Sequence, residues 1–181
     1  MNLMFSPITE QTYRRMLEGW KAQAEEIDAF PQEVERSLTW VADALCDKSP
    51  SGEHRSLAYV VSEDGADVPL AVCELVLSKR SRYERWLKLL KVHLSPGLEA
   101  RIEQGDVQAM ETASNVYKAA VAGAFDAKLE HSADTLKLYG RNDDMLKLLV
   151  VLLARINAQD GADSSLSACK EGRWLVLRRR S

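Results

Sequence analysis

Residues 86–96, WLKLLKVHLSP, then 111–130, ETASNVYKAAVAGAFDAKLE, then 135–140, TLKLYG, then 145–156, MLKLLVVLLARI, decide how this chain folds. The first and third read as apolar strands, the second as a helix rich in small residues and the fourth as a nearly all-apolar helix. Strand, helix, strand, helix in that order predicts two neighbouring parallel strands, because parallel neighbours need a crossover long enough to return over the sheet. A second helix then closes over the pair.

Working upstream, Ser56–Val61 (SLAYVV) and Pro69–Ser78 (PLAVCELVLS) are apolar and β-branched, with Asp64-Gly65 as a hairpin signal between them. With the strand at Leu87–Leu94 they form an expected three-strand antiparallel meander. Leu3–Ile8, broken by Pro7, reads as an edge strand, since proline donates nothing to a ladder. Thr9 is an N-cap for a helix whose Tyr13, Met16, Leu17, Trp20, Ala24 and Ile27 share one face. Phe30-Pro31 ends it, and Pro31 opens a second helix marked by Val34, Leu38, Val41 and Leu45. The tract DKSPSGEH (47–54) carries loop chemistry.

Between the fourth strand and the long helix, Pro96-Gly97 ends the strand, 98–104 suits a helical turn, and Gly105-Asp106 punctuates. Met110, Ala113, Tyr117, Val121, Ala124 and Leu129 lie on one side of the long helix. Ala119, Ala120, Gly123 and Ala127 lie on the other, where small residues permit close approach to a sheet. Asn142 or Asp143 caps the last helix, whose Leu146, Leu148, Leu149, Leu152, Leu153 and Ile156 predict deep burial. After the polar link NAQDGADSS (157–165), Leu166–Cys169 and Trp174–Leu177 read as a closing hairpin, with Arg178–Arg180 exposed.

At 181 residues the chain suits one domain, 1–181. A net charge of −3 gives no global reason to expect a nucleic-acid or anionic-membrane partner. Three well-separated cysteines, Cys46, Cys73 and Cys169, fit neither a disulfide framework nor a zinc site. The N-terminus lacks a signal-peptide pattern and no apolar run is long enough to span a bilayer, so a cytoplasmic protein is expected. A homodimer is the ordinary prior for a small α/β protein.

Written as elements, the reading is an α/β (α+β) chain, β-α-α-β-β-β-α-β-α-β-β, with parallel fourth and fifth strands. This order resembles that of the GNAT superfamily of acyl-CoA-dependent N-acyltransferases over essentially the whole chain. The segments that carry the likeness are FSPITEQTYRRM, SLAYVV, PLAVCELVLS, LKVHLSP, TLKLYG and GRWLVL. The resemblance implies an acyl-CoA cofactor, no metal, and transfer to the amine of a small molecule or protein. It places the cofactor at Leu94, Ser95, Arg101 and Gly105, in the connection where the family cradles pyrophosphate with a Q/R-x-x-G-x-G/A loop. Here that connection reads SPGLEARIEQGDVQAME: it has no G-x-G, and Glu99, Glu103, Asp106 and Glu111 put carboxylates where phosphate would sit. The last helix has no tyrosine where many members keep a general acid. The chain therefore reads as a divergent or catalytically degenerate GNAT-like acyltransferase.

His93, late in the fourth strand, is a candidate general base, or a strand histidine satisfied by a backbone or carboxylate partner. Glu74, alone among apolar neighbours, is a second candidate base, or a residue at the wet end of a sheet. In the implied mechanism one of them takes the amine proton while a backbone N–H near Leu94 polarises the carbonyl. Tyr139 could donate a proton or simply pack its ring, and Cys73 reads as a core residue. The run SKRSRYERWLKLLK (78–91) gathers Lys79, Arg80, Arg82, Arg85, Lys88 and Lys91 around Tyr83 and Trp86. It is either a solvated hairpin end or a surface for an acidic protein partner, a nucleic-acid backbone or cofactor phosphates, Arg80, Arg82, Arg85 and Lys88 being the contact residues. The second makes a non-enzymatic interaction protein the alternative function. No metal-ligand cluster, P-loop or nucleophile elbow is visible.

Overall fold

The computed structural model describes residues 2–46, 54–81, 84–141, 143–158 and 166–179. Its strands form one mixed sheet in the order β1-β2-β3-β4-β5-β7-β6. They are β1 (Leu3–Pro7), β2 (His54–Glu63), β3 (Ala71–Ser81), β4 (Glu84–Leu94), β5 (Thr135–Tyr139), β6 (Leu166–Glu171) and β7 (Trp174–Arg179). Interleaved are helices α1 (Glu10–Glu26), α2 (Pro31–Ser37), α3 (Thr39–Leu45), α4 (Pro96–Glu103), α5 (Val107–Glu130) and α6 (Asp143–Ala158). All neighbouring pairs are antiparallel except β4 and β5, which are parallel, with Trp86 opposite Thr135 and Leu89 opposite Leu138.

Alternation along the central strands sorts their side chains to two cores. Ala58, Val60 and Val72 point to one face, where Met16 and Trp20 of α1, Leu38, and Val41 of α3 bury them. Tyr59, Val61, Ala71, Cys73 and Leu75 point to the other, against Val116, Ala120 and Ala124 of α5. Covering both faces explains why SLAYVV reads as a continuous apolar run with no polar alternation. Trp20 Nε1 ties α1 to the sheet by donating to the Pro69 carbonyl at 2.9 Å.

Three details differ from the sequence reading. The expected second helix is two, α2 and α3, broken at buried Leu38, whose φ of −106° and ψ of 6° leave the helical basin. Ser37 Oγ and Thr39 Oγ1 donate to the Val34 and Arg36 carbonyls there, the local bonding by which Ser and Thr compete with a helix ladder. The expected turn after β4 is a full helix, α4. On α5 the small-residue side is buried, as its expected close approach to a sheet requires, while Met110 and Leu129 are exposed. In α6, Leu149 is buried but Val150 and Val151 are exposed, so this apolar helix covers the sheet with one side only. The cap expected at Asn142, the loop at 47–53 and the link at 159–165 lie outside the described residues, as does Arg180.

Candidate functional site

The site is made where the parallel pair stops pairing. From Trp86 to Leu89, β4 keeps register with β5, and beyond Leu89 it has no β5 partner. On its other side β4 carries a bulge: Leu75 opposes Leu89 and Glu74 opposes Lys91, which leaves Leu90 as the extra residue. A bulge bends its strand and sharpens the twist, so β4 leaves β5 as the bulge begins. The opening is a cleft of about 430 Å³ lined by residues 89–93 of β4, Glu99, Tyr117, Tyr139 and Arg141. A second cleft of about 320 Å³ lies behind it between α1, α2, α4 and the end of β4, and His93 and Glu99 line both.

His93 therefore sits on a shared wall. Its Nε2 is buried with no hydrogen-bond partner, and its ring stacks on Trp40 at 6.3 Å between centroids. Burial lowers its pKa below the ordinary value, Arg141 and Lys91 lower it further, and Glu74 opposes them. A neutral imidazole with an unengaged nitrogen follows, which is the form that accepts a proton. Glu74 lies on the same sheet face, 2.8 Å from Lys91 Nζ across the strand pair, and Lys91 in turn sits over the Trp40 ring. With its charge matched by Lys91, Glu74 tunes the histidine and does not line either cleft.

The second cleft is acidic and greasy together. Glu33, Glu99 and Glu103 line it beside Trp20, Ile27, Phe30 and Val34. None of the three carboxylates has an ion-pair partner within 4 Å among the described residues. Desolvation, reinforced by Glu103, raises the Glu99 pKa, and Arg141 only partly offsets it. Phe30, in the α1–α2 turn, is 69% exposed and forms an apolar rim.

The remaining sequence candidates fall elsewhere. Leu94 and Ser95 are buried, and the Ser95 N–H donates to the Leu70 carbonyl at 2.8 Å, so it is not free to polarise a ligand. Arg101 and Gly105 lie in and after α4: Arg101 pairs with Asp106, and the Gly105 N–H donates to the Ile102 carbonyl. Asp106 Oδ1 accepts from the N–H groups of Gln108 and Ala109 at the start of α5. These residues are thus committed to one another, and as arranged they do not fit the pyrophosphate of acyl-CoA. Tyr139 packs on Trp174 while lining the first cleft, and buried Cys73 has its thiol pKa pushed well above the ordinary range.

Of the described residues of the basic run, Lys91 lines the first cleft, while Lys79, Arg85 and Lys88 do not. Arg85 is opposite Lys79 near the β3–β4 turn, six residues before Lys91, on the order of 20 Å away along the strand. Lys88 and Lys137 lie over the Trp86 ring at 5.6 and 4.1 Å from its centroid. The Arg80 side chain, Arg82 and Tyr83 lie outside the described residues. Among the described residues no group of three metal-binding side chains occurs, and no helix is long and apolar enough to cross a membrane.

Sequence reasoning singled out His93 but not Tyr117 or Arg141 as cleft residues, and it read Glu99 and Glu103 only against phosphate. No sequence signal marks the bulge at Leu90, which exists only in the pairing of β3 with β4.

No protein-family model and no curated protein matches the chain. Among solved structures, it is similar to a chain of the NatC complex bound to Gag peptide and CoA, at 10% identity over 100% of both chains, with a TM-score of 0.45. It is also similar to an acetyltransferase from Thermus thermophilus, at 15% identity over 99% of this chain and 97% of that one, with a TM-score of 0.39. A GNAT-family acetyltransferase from Staphylococcus aureus gives 10% identity, coverage of 98% and 99%, and a TM-score of 0.39. Likenesses this distant carry no weight for chemistry. The sheet itself has the GNAT-like order: an antiparallel meander, a crossover helix, a parallel fifth strand and a closing hairpin.

Proposed function

We propose that this GNAT-like protein binds a cationic amine in the cleft behind β4, the half of an N-acyltransferase site that would receive the acceptor. The observation that carries the reading is the wall of Glu33, Glu99 and Glu103, unpaired and set among Trp20, Phe30 and Val34. The three carboxylates are exposed, and their summed negative charge beside an apolar surface attracts an ammonium ion carried on an apolar body. His93 stands at the inner end, where its neutral ring can take the proton that an amine must lose before it reacts. Arg141 lies toward the first cleft and keeps positive charge on that side, so the two clefts differ in the charge they favour.

Calorimetric titration with an aliphatic diamine, a phenylalkylamine and the matching neutral alcohols tests this. The amines are expected to bind saturably and the alcohols not, and the Glu99→Gln, Glu103→Gln double variant is expected to lose at least about tenfold in affinity. Equal binding of amine and alcohol, or an unaffected double variant, would overturn the reading.

A further inference from the structure

Just past the end of β5 the backbone is held from the turn of the closing hairpin. The Gly140 N–H donates to the Arg173 carbonyl at 2.8 Å, and Arg173 in return donates from Nε to the Gly140 carbonyl at 2.6 Å and from Nη2 to the Arg141 carbonyl at 3.3 Å. Space is tight there as well, since a Cβ on Gly140 would fall 3.0 Å from Leu146 Cα. Arg141 is thus fixed by its backbone, while its guanidinium has no ion-pair partner within 4 Å among the described residues. The first cleft's other cation, Lys91, is matched by Glu74 at 2.8 Å. Glu99 lines the same cleft with the opposite sign, and Arg141 is near enough to lower its pKa although no ion pair joins them. A cleft of about 430 Å³ therefore carries an uncompensated cation and an uncompensated anion that do not meet.

We infer that the ligand is a zwitterion, an α-amino acid with an apolar side chain, its carboxylate on Arg141 and its ammonium on Glu99. Each charge of such a ligand meets its opposite, whereas a plain amine leaves Arg141 unanswered. A guanidinium suits a carboxylate because it offers two parallel N–H donors in one plane. One unmatched cation also suits a monoanion and not a diphosphate. Glu99 and His93 line both clefts. An amino group beside them has the first cleft on one side for the carboxylate and the second on the other for the side chain, among Trp20, Ile27, Phe30 and Val34. This names the substrate class of the amine site proposed above and rests on that reading.

The test is calorimetric titration of the full chain with L-phenylalanine, with phenethylamine, which lacks its carboxylate, and with phenylpropionate, which lacks its ammonium. The amino acid is expected to bind at least about tenfold more tightly than either fragment. Arg141→Gln is expected to abolish the preference over phenethylamine, and Arg141→Lys, which keeps the charge but not the planar pair of donors, to retain part of it. Arg141 is exposed, so both variants are expected to melt as wild type does. An amino acid that binds no more tightly than phenethylamine overturns the inference, as does a preference that survives Arg141→Gln. Phenylpropionate binding as tightly as the amino acid overturns it too, and marks a plain anion site. Phenylethanol, titrated alongside, separates the two readings. If phenethylamine binds more tightly than the alcohol and phenylalanine adds nothing, the zwitterion alone fails; if neither exceeds the alcohol, the amine reading fails with it.

Discussion

His93 shows how one residue records its surroundings. The fourth strand's polar exception was legible as a candidate from LKVHLSP, yet nothing in those letters says that its Nε2 would be buried without a partner. Because its native pKa is depressed below about 6.5, the unfolded chain takes up a proton first as the pH falls. Its contribution to stability is therefore intact above that pH and declines below it, toward the native pKa. Melting followed from pH 7.5 to 5 is expected to be steeper for wild type than for His93→Gln. Glu99 has the opposite sign. Its native pKa is raised, so it favours folding at acid pH and loses that contribution as the pH rises. Glu99→Gln is expected to melt higher than wild type at pH 7.5, to show no such advantage near pH 3, and to bind amines more weakly. A variant that is stabler and less functional marks a site residue.

At the scale of elements, α5 was found readily by composition, and its small-residue side was already marked for close approach to the sheet. Size, not hydrophobicity, decides how near a helix sits to its sheet. At Gly123 a Cβ would fall 2.1 Å from Phe5 Cγ, at the root of a ring that stacks on Tyr59 and has little room to yield. Gly123→Ala is expected to destabilise by about 1–3 kcal/mol in urea unfolding. Combined with Phe5→Ala it should cost less than the sum of the two, because the second change removes the clash created by the first. The break at Leu38 and the extra helix α4 were less legible, since side-chain bonding at Ser37 and Thr39 and the docking of Gly97 N–H on Gln23 Oε1 are decided by local competition and by contacts far along the chain.

For the molecule as a whole, the clefts lie between elements that meet only in the folded state: α1 and α2, the far end of β4, α4, α5 at Tyr117, and the end of β5 with Arg141 beyond it. A ligand held there binds the native chain alone and must raise its stability. At about one hundred times Kd that is about 2.7 kcal/mol. For a domain of this size, about 2–4 °C per kcal/mol makes the shift roughly 5–10 °C. Scanning the melting temperature against diamine concentration checks this, and a flat response at saturating ligand would count against a cleft site. Truncation of the parallel pair tests the scaffold separately. Leu89 and Leu138 are opposite each other and buried, and Leu138→Ala is expected to cost about 2–5 kcal/mol in the same urea assay.

The sequence by itself determined most of the elements and the strand directions, because periodicity, caps, prolines and the length of a crossover act within a few residues of where they are written. The parallel pairing of residues 86–89 with 135–138 was already implied by TLKLYG following a long helix. Tertiary structure decided the rest. It set the bulge that turns β4 away from β5 and the meeting of Glu33 with Glu99 and Glu103. Register and packing relate residues separated by tens of positions, and no local pattern encodes that relation until the chain is folded.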